Sequence, residues 1–281
     1  MTPPILSYVS QIREQLDRLR RDGRRIGLVP TMGALHAGHA SLMERARAEC
    51  DCVVVSIFVN PIQFGPSEDF QRYPRPLEKD AAICAEKGVD LIFAPATSEM
   101  YGSPQLAFVE VERITEHLCG AFRPGHFRGV ATVVLKLFGI VEADFAYFGE
   151  KDYQQLCVIR RMVQDFNLRV SIVPVPTLRE GDGLAMSSRN VYLNPDERAA
   201  APALFRALTL AKERIAAGET NVSAIKDAAI RVLAAEPLIR IQYFEIVDPM
   251  QLQPVVMVSG PVRIAAAIFI GYTRLIDNVA G

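Results

Sequence analysis

Through the first two-thirds of the chain, short continuous apolar runs alternate with stretches of helical spacing. Ile26-Gly27-Leu28-Val29 reads as the first strand, and residues 40–49 as a helix with Leu42, Met43 and Ala46 on one face. The run from Cys52 to Val59 is apolar almost throughout and is bounded by Asn60-Pro61. Such a run is expected of a strand buried on both faces, as in a parallel sheet. Residues 77–87 read as a helix ended by Gly88, and Asp90–Ala94 as a strand stopped by Pro95. Residues 106–111 read as a further strand, at an edge or in an insertion. An apolar helix over 130–141, a strand over 144–148, a helix over 153–166 and a strand over 170–175 follow. This alternation predicts a right-handed parallel α/β sheet. The pattern changes after Leu178. Asn194-Pro195-Asp196-Glu197 opens a long helix to Ala217, ended by Gly218. A helix over 221–234 comes next, then strands at 241–247, 255–259 and 262–270. The expected organisation is an α/β domain over residues 1–177 and a smaller α+β domain over 178–281, with no repeats.

Composition narrows the class. A chain of 281 residues allows one large domain or two of ordinary size, and an apolar share of 50% is enough for a core. The net charge of −1 gives neither a basic nucleic-acid footprint nor an acidic tail. The five cysteines are scattered, without a disulfide or zinc spacing. The stretch Met1–Arg25 has no apolar signal-peptide core, and its charges run through Arg13, Glu14, Asp17, Arg18 and Arg20. No apolar run reaches the ~18 residues of a membrane span. A cytoplasmic protein without membrane or nucleic-acid partners is expected.

Chemistry concentrates at the ends of the predicted strands, where open α/β sheets bind ligands. After the first strand comes Thr31-Met32-Gly33-Ala34-Leu35-His36-Ala37-Gly38-His39, which holds two of the chain's four histidines. A strand, a glycine-containing loop and a helix set backbone N–H groups against phosphate. Two imidazoles there add donors that follow a triphosphate as its charge rearranges. The pattern His-x-Gly-His resembles the signature of adenylate-forming nucleotidyltransferases, a group that includes class I aminoacyl-tRNA synthetases. It points to ATP and to attack on the α-phosphate. Taken alone it reads equally well as two surface histidines or half of a metal site. Nearby Cys50 and Cys52 sit at the entrance of an apolar run, where cysteine acts as a small buried hydrophobe.

Four more clusters share the placement: Asn60-Pro61-Ile62-Gln63-Phe64; Arg123 to Gly129; Gly149-Glu150-Lys151-Asp152-Tyr153-Gln154-Gln155; and Met186-Ser187-Ser188-Arg189-Asn190 at the domain junction. Singly, each reads as a turn cap, a solvated helix start or plain surface charge. Together they suit adenylation, in which a carboxylate attacks the α-phosphate and pyrophosphate leaves. Lysine serves as a mobile point charge, serine hydroxyls as neutral donors, and glutamines such as Gln63 and Gln155 hold the acceptor carboxylate without neutralising it.

With these clusters in hand, the chain resembles the pantoate–β-alanine ligases (pantothenate synthetases). The matching stretches are Val29–Gly33, His36–His39, Ser56–Pro61, Arg123–Gly129, Phe148–Asp152, Ser187–Asn190 and the tail Arg274-Leu275-Ile276-Asp277-Asn278, in the family's order. The resemblance implies a Rossmann-like N-terminal domain, a smaller C-terminal domain that closes over the site, and a homodimer. It implies that pantoate and ATP, with Mg²⁺, give pantoyl adenylate and pyrophosphate, and that β-alanine then yields pantothenate and AMP. It assigns Met32, Gly33, Ala34, Leu35, His36, Ala37, Gly38 and His39 to ATP, with His39 as the proton donor. Whether that means a transferred proton or a hydrogen bond to the leaving oxygen stays open. Gly149, Glu150, Lys151, Asp152, Leu178, Met186, Ser187, Ser188 and Arg189 match ATP contacts, with Lys151, Ser187 and Arg189 on the phosphates. Gln63 and Gln155 match the pantoate ligands, Gln63 also lies near the β-alanine position, and Asn60 is grouped with them. No metal ligand is assigned. A related nucleotidyltransferase acting on a phosphorylated acceptor would need a basic pocket where the glutamines stand. A non-catalytic ATP sensor could dispense with the glutamines.

Overall fold

A computed structural model describes residues 2–66, 68–102 and 104–281. The strands are β1 (Ile5–Leu6), β2 (Ile26–Thr31), β3 (Cys52–Ile57), β4 (Leu91–Phe93), β5 (Phe145–Gly149), β6 (Ser171–Val175), β7 (Ile239–Val247), β8 (Arg263–Ile270) and β9 (Thr273–Ala280). The helices are α1 (Val9–Arg21), α2 (Ala37–Glu49), α3 (Leu77–Glu86), α4 (Thr97–Met100), α5 (Cys119–Phe122), α6 (His126–Val141), α7 (Tyr153–Asp165), α8 (Pro195–Ala200), α9 (Ala203–Ala216) and α10 (Val222–Ala234). They form two compact units: residues 1–111, 123–150 and 158–176, and residues 112–122, 151–157 and 177–281.

The first unit holds a six-stranded sheet in the order β1-β4-β3-β2-β5-β6, parallel throughout. Val29, Val53, Val55 and Tyr147 share a core with Leu42 and Met43 of α2 and Cys84 of α3. The alternate residues Leu28, Val54 and Ala146 are just as buried, so helices cover both faces, as the continuous apolar runs require. From β2 the chain winds outward to β3 and β4 and then returns to β5 beside β2. The strand order therefore reverses between β2 and β5, and their carboxyl ends flank the crevice where Rossmann-like sheets take ligands. The first unit is Rossmann-like.

In the second unit β7, β8 and β9 form an antiparallel sheet. Ile264, Ala266 and Ile268 of β8 share a core with Leu204 and Leu208 of α9 and Ile225 and Leu233 of α10.

Several elements differ from the sequence reading. Residues 106–111 form no strand; Val109 N–H instead donates to Thr132 Oγ1 on α6 at 3.0 Å. Residues 255–259 form no strand; only Met257 makes a single bridge, to Asn221, and the preceding Pro254 makes another, to Val247. Pro254 offers no N–H to a ladder. The long helix after Asn194 is two helices, α8 and α9, broken at Ala201-Pro202 for the same reason. β1, α1 and β9 were not expected. In α1 only Ile12 and Leu16 are buried among many charges.

Candidate active site

In the first unit the loop after β2 is shaped by two consecutive left-handed residues, Gly33 (φ 81°) and Ala34 (φ 51°). Alanine pays a steric cost there, and Asp80 of α3 holds the loop in place. Its carboxylate accepts Ala34 N–H at 3.0 Å and Leu35 N–H at 2.8 Å. A Cβ on Gly33 would fall 2.9 Å from Asp80 Oδ2, so glycine also permits this approach. Burial pushes the Asp80 carboxyl up from its ordinary value, against the pull of the two N–H groups. Sequence reasoning missed Asp80. Its one signal was a carboxylate on the face of a helix whose neighbours Ala81 and Cys84 are core residues.

The two histidines meet at the start of α2. His36 is the N-cap, and its Nδ1 accepts Gly38 N–H at 3.1 Å, while His39 Nδ1 accepts His36 N–H at 3.3 Å. The rings lie 4.2 Å apart between centroids. A nitrogen that accepts a backbone N–H carries no proton, so each neutral ring bears its proton on Nε2. The reciprocal cap thus makes both imidazoles Nε2–H donors at the amino end of a helix, an arrangement suited to an anion.

The Asn60–Phe64 cluster follows β3. Asn60 is 1% exposed. Its Nδ2 donates to Gln63 Oε1 at 3.0 Å and to Gly129 O at 3.1 Å, and its Oδ1 accepts Tyr101 O–H at 2.7 Å. Both amide protons and the carbonyl are thereby engaged by the protein. Gln63 Nε2 donates to Met32 Sδ at 2.9 Å. Thioether sulfur is a weak acceptor, so this donor can be exchanged cheaply for an oxygen. Gly149 and Glu150 stand at the carboxyl end of β5, beside β2 in the sheet.

The second unit carries Lys151, Asp152, Gln155, Leu178 and Met186 to Arg189. Lys151 O accepts Asn278 Nδ2 at 2.9 Å, and Lys151 Nζ lies 3.8 Å from Asp152 Oδ2. Asn278 N–H donates to Asp277 Oδ1 at 2.8 Å, and Asp277 receives both arms of Arg179, at 2.6 and 3.0 Å. Burial raises the Asp277 carboxyl from its ordinary value despite Arg179, which pulls it down. Ser187 caps the short 3₁₀ turn Ser188–Tyr192, its Oγ accepting Arg189 N–H at 3.2 Å. Met186 N–H donates to Leu178 O at 3.0 Å, closing a small loop.

The two adjacent glutamines of α7 differ. Gln154 is buried and ties the 112–122 segment to the helix, donating to Ile114 O and His117 O and accepting Cys119 N–H. Gln155 is half-buried, and its side chain has no hydrogen-bond partner among the described residues. Among the described residues no group of three or more His, Cys, Asp or Glu could hold a metal ion. No helix among them is long and apolar enough to cross a membrane.

The chain is similar to known proteins along nearly its whole length. The family model described as Pantoate-beta-alanine ligase matches residues 4–280. The pantothenate synthetase of Heliobacterium modesticaldum is 59% identical over 277 residues, covering 98% of this chain and 99% of that protein. That of Pelotomaculum thermopropionicum is 53% identical over 274 residues, with 98% and 97% covered. The crystal structure of pantothenate synthetase from Thermus thermophilus superposes with a TM-score of 0.93 at 50% identity, covering 98% of each chain. The pantoate-beta-alanine ligase from Francisella tularensis, complexed with beta-gamma ATP and beta-alanine, superposes with a TM-score of 0.83 at 36% identity, covering 99% of this chain and 97% of that one.

Proposed function

This chain belongs to the pantoate–β-alanine ligase family, and from that premise we propose how its residues divide the work. The enzyme joins (R)-pantoate to β-alanine in two steps. A pantoate carboxylate oxygen bonds to the α-phosphorus of ATP as the bond to pyrophosphate breaks, giving pantoyl adenylate. The β-alanine amine then attacks the acyl carbon, loses a proton and expels AMP, leaving pantothenate.

In the proposed division, ATP lies along Met32 to His39 and the backbone of Gly149 to Asp152, with Leu178 and Met186 to Arg189 as further contacts. His36 and His39 donate from Nε2 to phosphate oxygens. The observation that carries this is the reciprocal cap, which fixes the proton of each neutral ring on Nε2. Preorganised donors aimed where charge gathers are the largest source of rate in such sites. Lys151, Ser187 and Arg189 meet the charge that moves onto pyrophosphate. Gln63 and Gln155 bind pantoate, Gln63 also faces β-alanine, and Asn60 contributes by aiming Gln63. Mg²⁺ bound with ATP would offset phosphate charge, and such an ion needs no dedicated cage of protein ligands. Assembly as a homodimer and a cytoplasmic setting complete the proposal and rest on the family resemblance.

The deciding experiment is isotope exchange between pyrophosphate and ATP. Exchange is expected with pantoate and Mg²⁺ and without β-alanine; a requirement for β-alanine would overturn the two-step order.

A further inference from the structure

The stretch Arg123 to Gly129 has no role in the division above, yet it is built around Gln63. Gly125, at φ 79°, turns the chain into α6. At Gly129 a Cβ would stand 2.5 Å from Ile62 O and 2.6 Å from Gln63 Cα, so the first turn of α6 is the bed on which Pro61–Gln63 lies. His126, in that turn, places Nδ1 2.8 Å from Gln63 O and Nε2 3.0 Å from Arg123 Nη1. A guanidinium only donates. His126 Nε2 is therefore the acceptor, the ring proton is on Nδ1, and that N–H donates to the Gln63 carbonyl. Arg123 is fixed in turn by Glu68, through bonds of 2.7 and 2.6 Å. Burial pushes the Glu68 carboxyl up, but the hydrogen bonds and charge of Arg123, together with His126 and the Gly65 backbone, hold it below its ordinary value.

Gln63 needs such support. Its amide donor rests on Met32 sulfur, a bond too weak to aim it. Its aim comes from two sides, Asn60 on the amide oxygen and, on the main-chain carbonyl, His126 at 2.8 Å with Arg123 Nη2 a longer donor at 3.5 Å. We propose that His126, held as its Nδ1–H tautomer by Arg123 and Glu68, is a positioning residue that fixes the backbone of Gln63 so that its amide meets pantoate. The proposal rests on the reading of Gln63 as a pantoate ligand. It concerns binding of the acyl substrate and not of ATP.

The test measures the KM values for pantoate and ATP in pyrophosphate release for His126→Ala, His126→Asn, Gln63→Ala and the double variant His126→Ala/Gln63→Ala. A displaced binding group costs up to about 10²-fold, so His126→Ala is expected to raise the pantoate KM about tenfold and leave the ATP KM within about twofold. Asparagine can place an N–H where Nδ1 stands, so His126→Asn is expected to recover most of the loss; it also carries the test should the alanine variant fold poorly. In the Gln63→Ala background, His126→Ala is expected to add less than about twofold, because residues acting as one unit are not additive. A His126→Ala variant with normal pantoate KM, an equal rise for ATP, no recovery with asparagine, or full additivity would each overturn the proposal. A normal pantoate KM in Gln63→Ala would instead remove the reading of Gln63 on which it rests.

Discussion

The two units hold several of their candidate residues in different ways. In the parallel-sheet unit the protein grips side-chain atoms: both imidazole Nδ1 atoms accept backbone N–H groups, and Gln63 Oε1 is taken by Asn60. In the unit with the antiparallel sheet the Ser187 hydroxyl is gripped too, by Arg189 N–H, but Lys151 and Gln155 are held differently. Lys151 is anchored through its carbonyl by Asn278, whereas its ammonium makes no hydrogen bond among the described residues; Gln155 likewise has no partner there. For His36, His39, Gln63 and Lys151 the difference fits the chemistry proposed for each, whereas Gln155 is a neutral amide without such a grip. Neutral donors work only when aimed, because an amide or imidazole is worth little at the wrong angle. An ammonium acts as a point charge and can follow negative charge as it migrates.

The contrast breaks first, if it breaks, behind Lys151. Its anchor runs from Asn278 through Asp277 to Arg179, and Asp277 is 3% exposed. Removing one partner of a buried ion pair costs about 3–5 kcal/mol. Asp277→Ala is expected to lose that much in urea unfolding. A loss under about 1 kcal/mol, the range of surface pairs, would mean that the backbone of this unit is not held from β9.

Lys151→Ala separates the loose end from its anchor. Losing one charge-stabilising donor costs about 10²–10³-fold in rate, and that drop is expected in pantoate-dependent pyrophosphate–ATP exchange. Unfolding free energy is expected to stay within about 0.5 kcal/mol, as at sites away from the core. A variant that exchanges normally would take Lys151 out of the site; one that unfolds easily would make its side chain part of the scaffold.

The glutamines offer the most direct comparison. Both alanine variants are expected to weaken pantoate binding, since an unsatisfied buried group costs about 1–3 kcal/mol, or roughly 5–150-fold. Only Gln63→Ala is expected to lower stability as well, because it strands one Asn60 N–H. Gln155→Ala is expected to melt with the parent chain. Equal losses of stability would erase the distinction between gripped and loose side chains.

The sequence showed the loose residues more readily than the grip. β2, β3 and β5 read as strands because burial on both faces makes them apolar throughout, and the polar clusters at their ends stood out against those runs. β9 did not, since Arg274, Asp277 and Asn278 interrupt its apolar positions; the buried pair and the anchor that make it matter also hid it. The family tail motif named these residues without saying that they form a strand. Asp80, Tyr101 and Glu68 were invisible for a related reason. Each acts on a partner more than 40 positions away in the chain, and nothing local marks a carboxylate or phenol that serves a distant loop. Gln154 and Gln155 are adjacent and chemically identical, and only their directions from α7 separate a scaffold residue from one without a side-chain hydrogen bond among the described residues.

The smallest expected effect tests whether the Lys151 ammonium is as loosely held as it looks. Its nearest carboxylate is Asp152, at 3.8 Å, with the Asp152 side chain 47% exposed. Exposed pairs are worth about 0–1 kcal/mol because water screens them and two long side chains lose freedom in making them. Asp152→Asn keeps the shape of the side chain and removes its charge. Unfolding free energy is expected to change by less than about 0.5 kcal/mol. The adenylation rate is expected to hold or to rise slightly, since a negative charge leaves the neighbourhood of the lysine proposed to answer the charge of pyrophosphate. Raising the salt concentration should shrink even that difference, because exposed charges are screened over about 10 Å at 0.1 M. A fall of about tenfold or more in rate, a loss of roughly 1.4 kcal/mol of transition-state stabilisation, would show that Asp152 aims the ammonium. Lys151 would then belong with the gripped residues, and the division between the two units would lie in their folds and not in how they present charge.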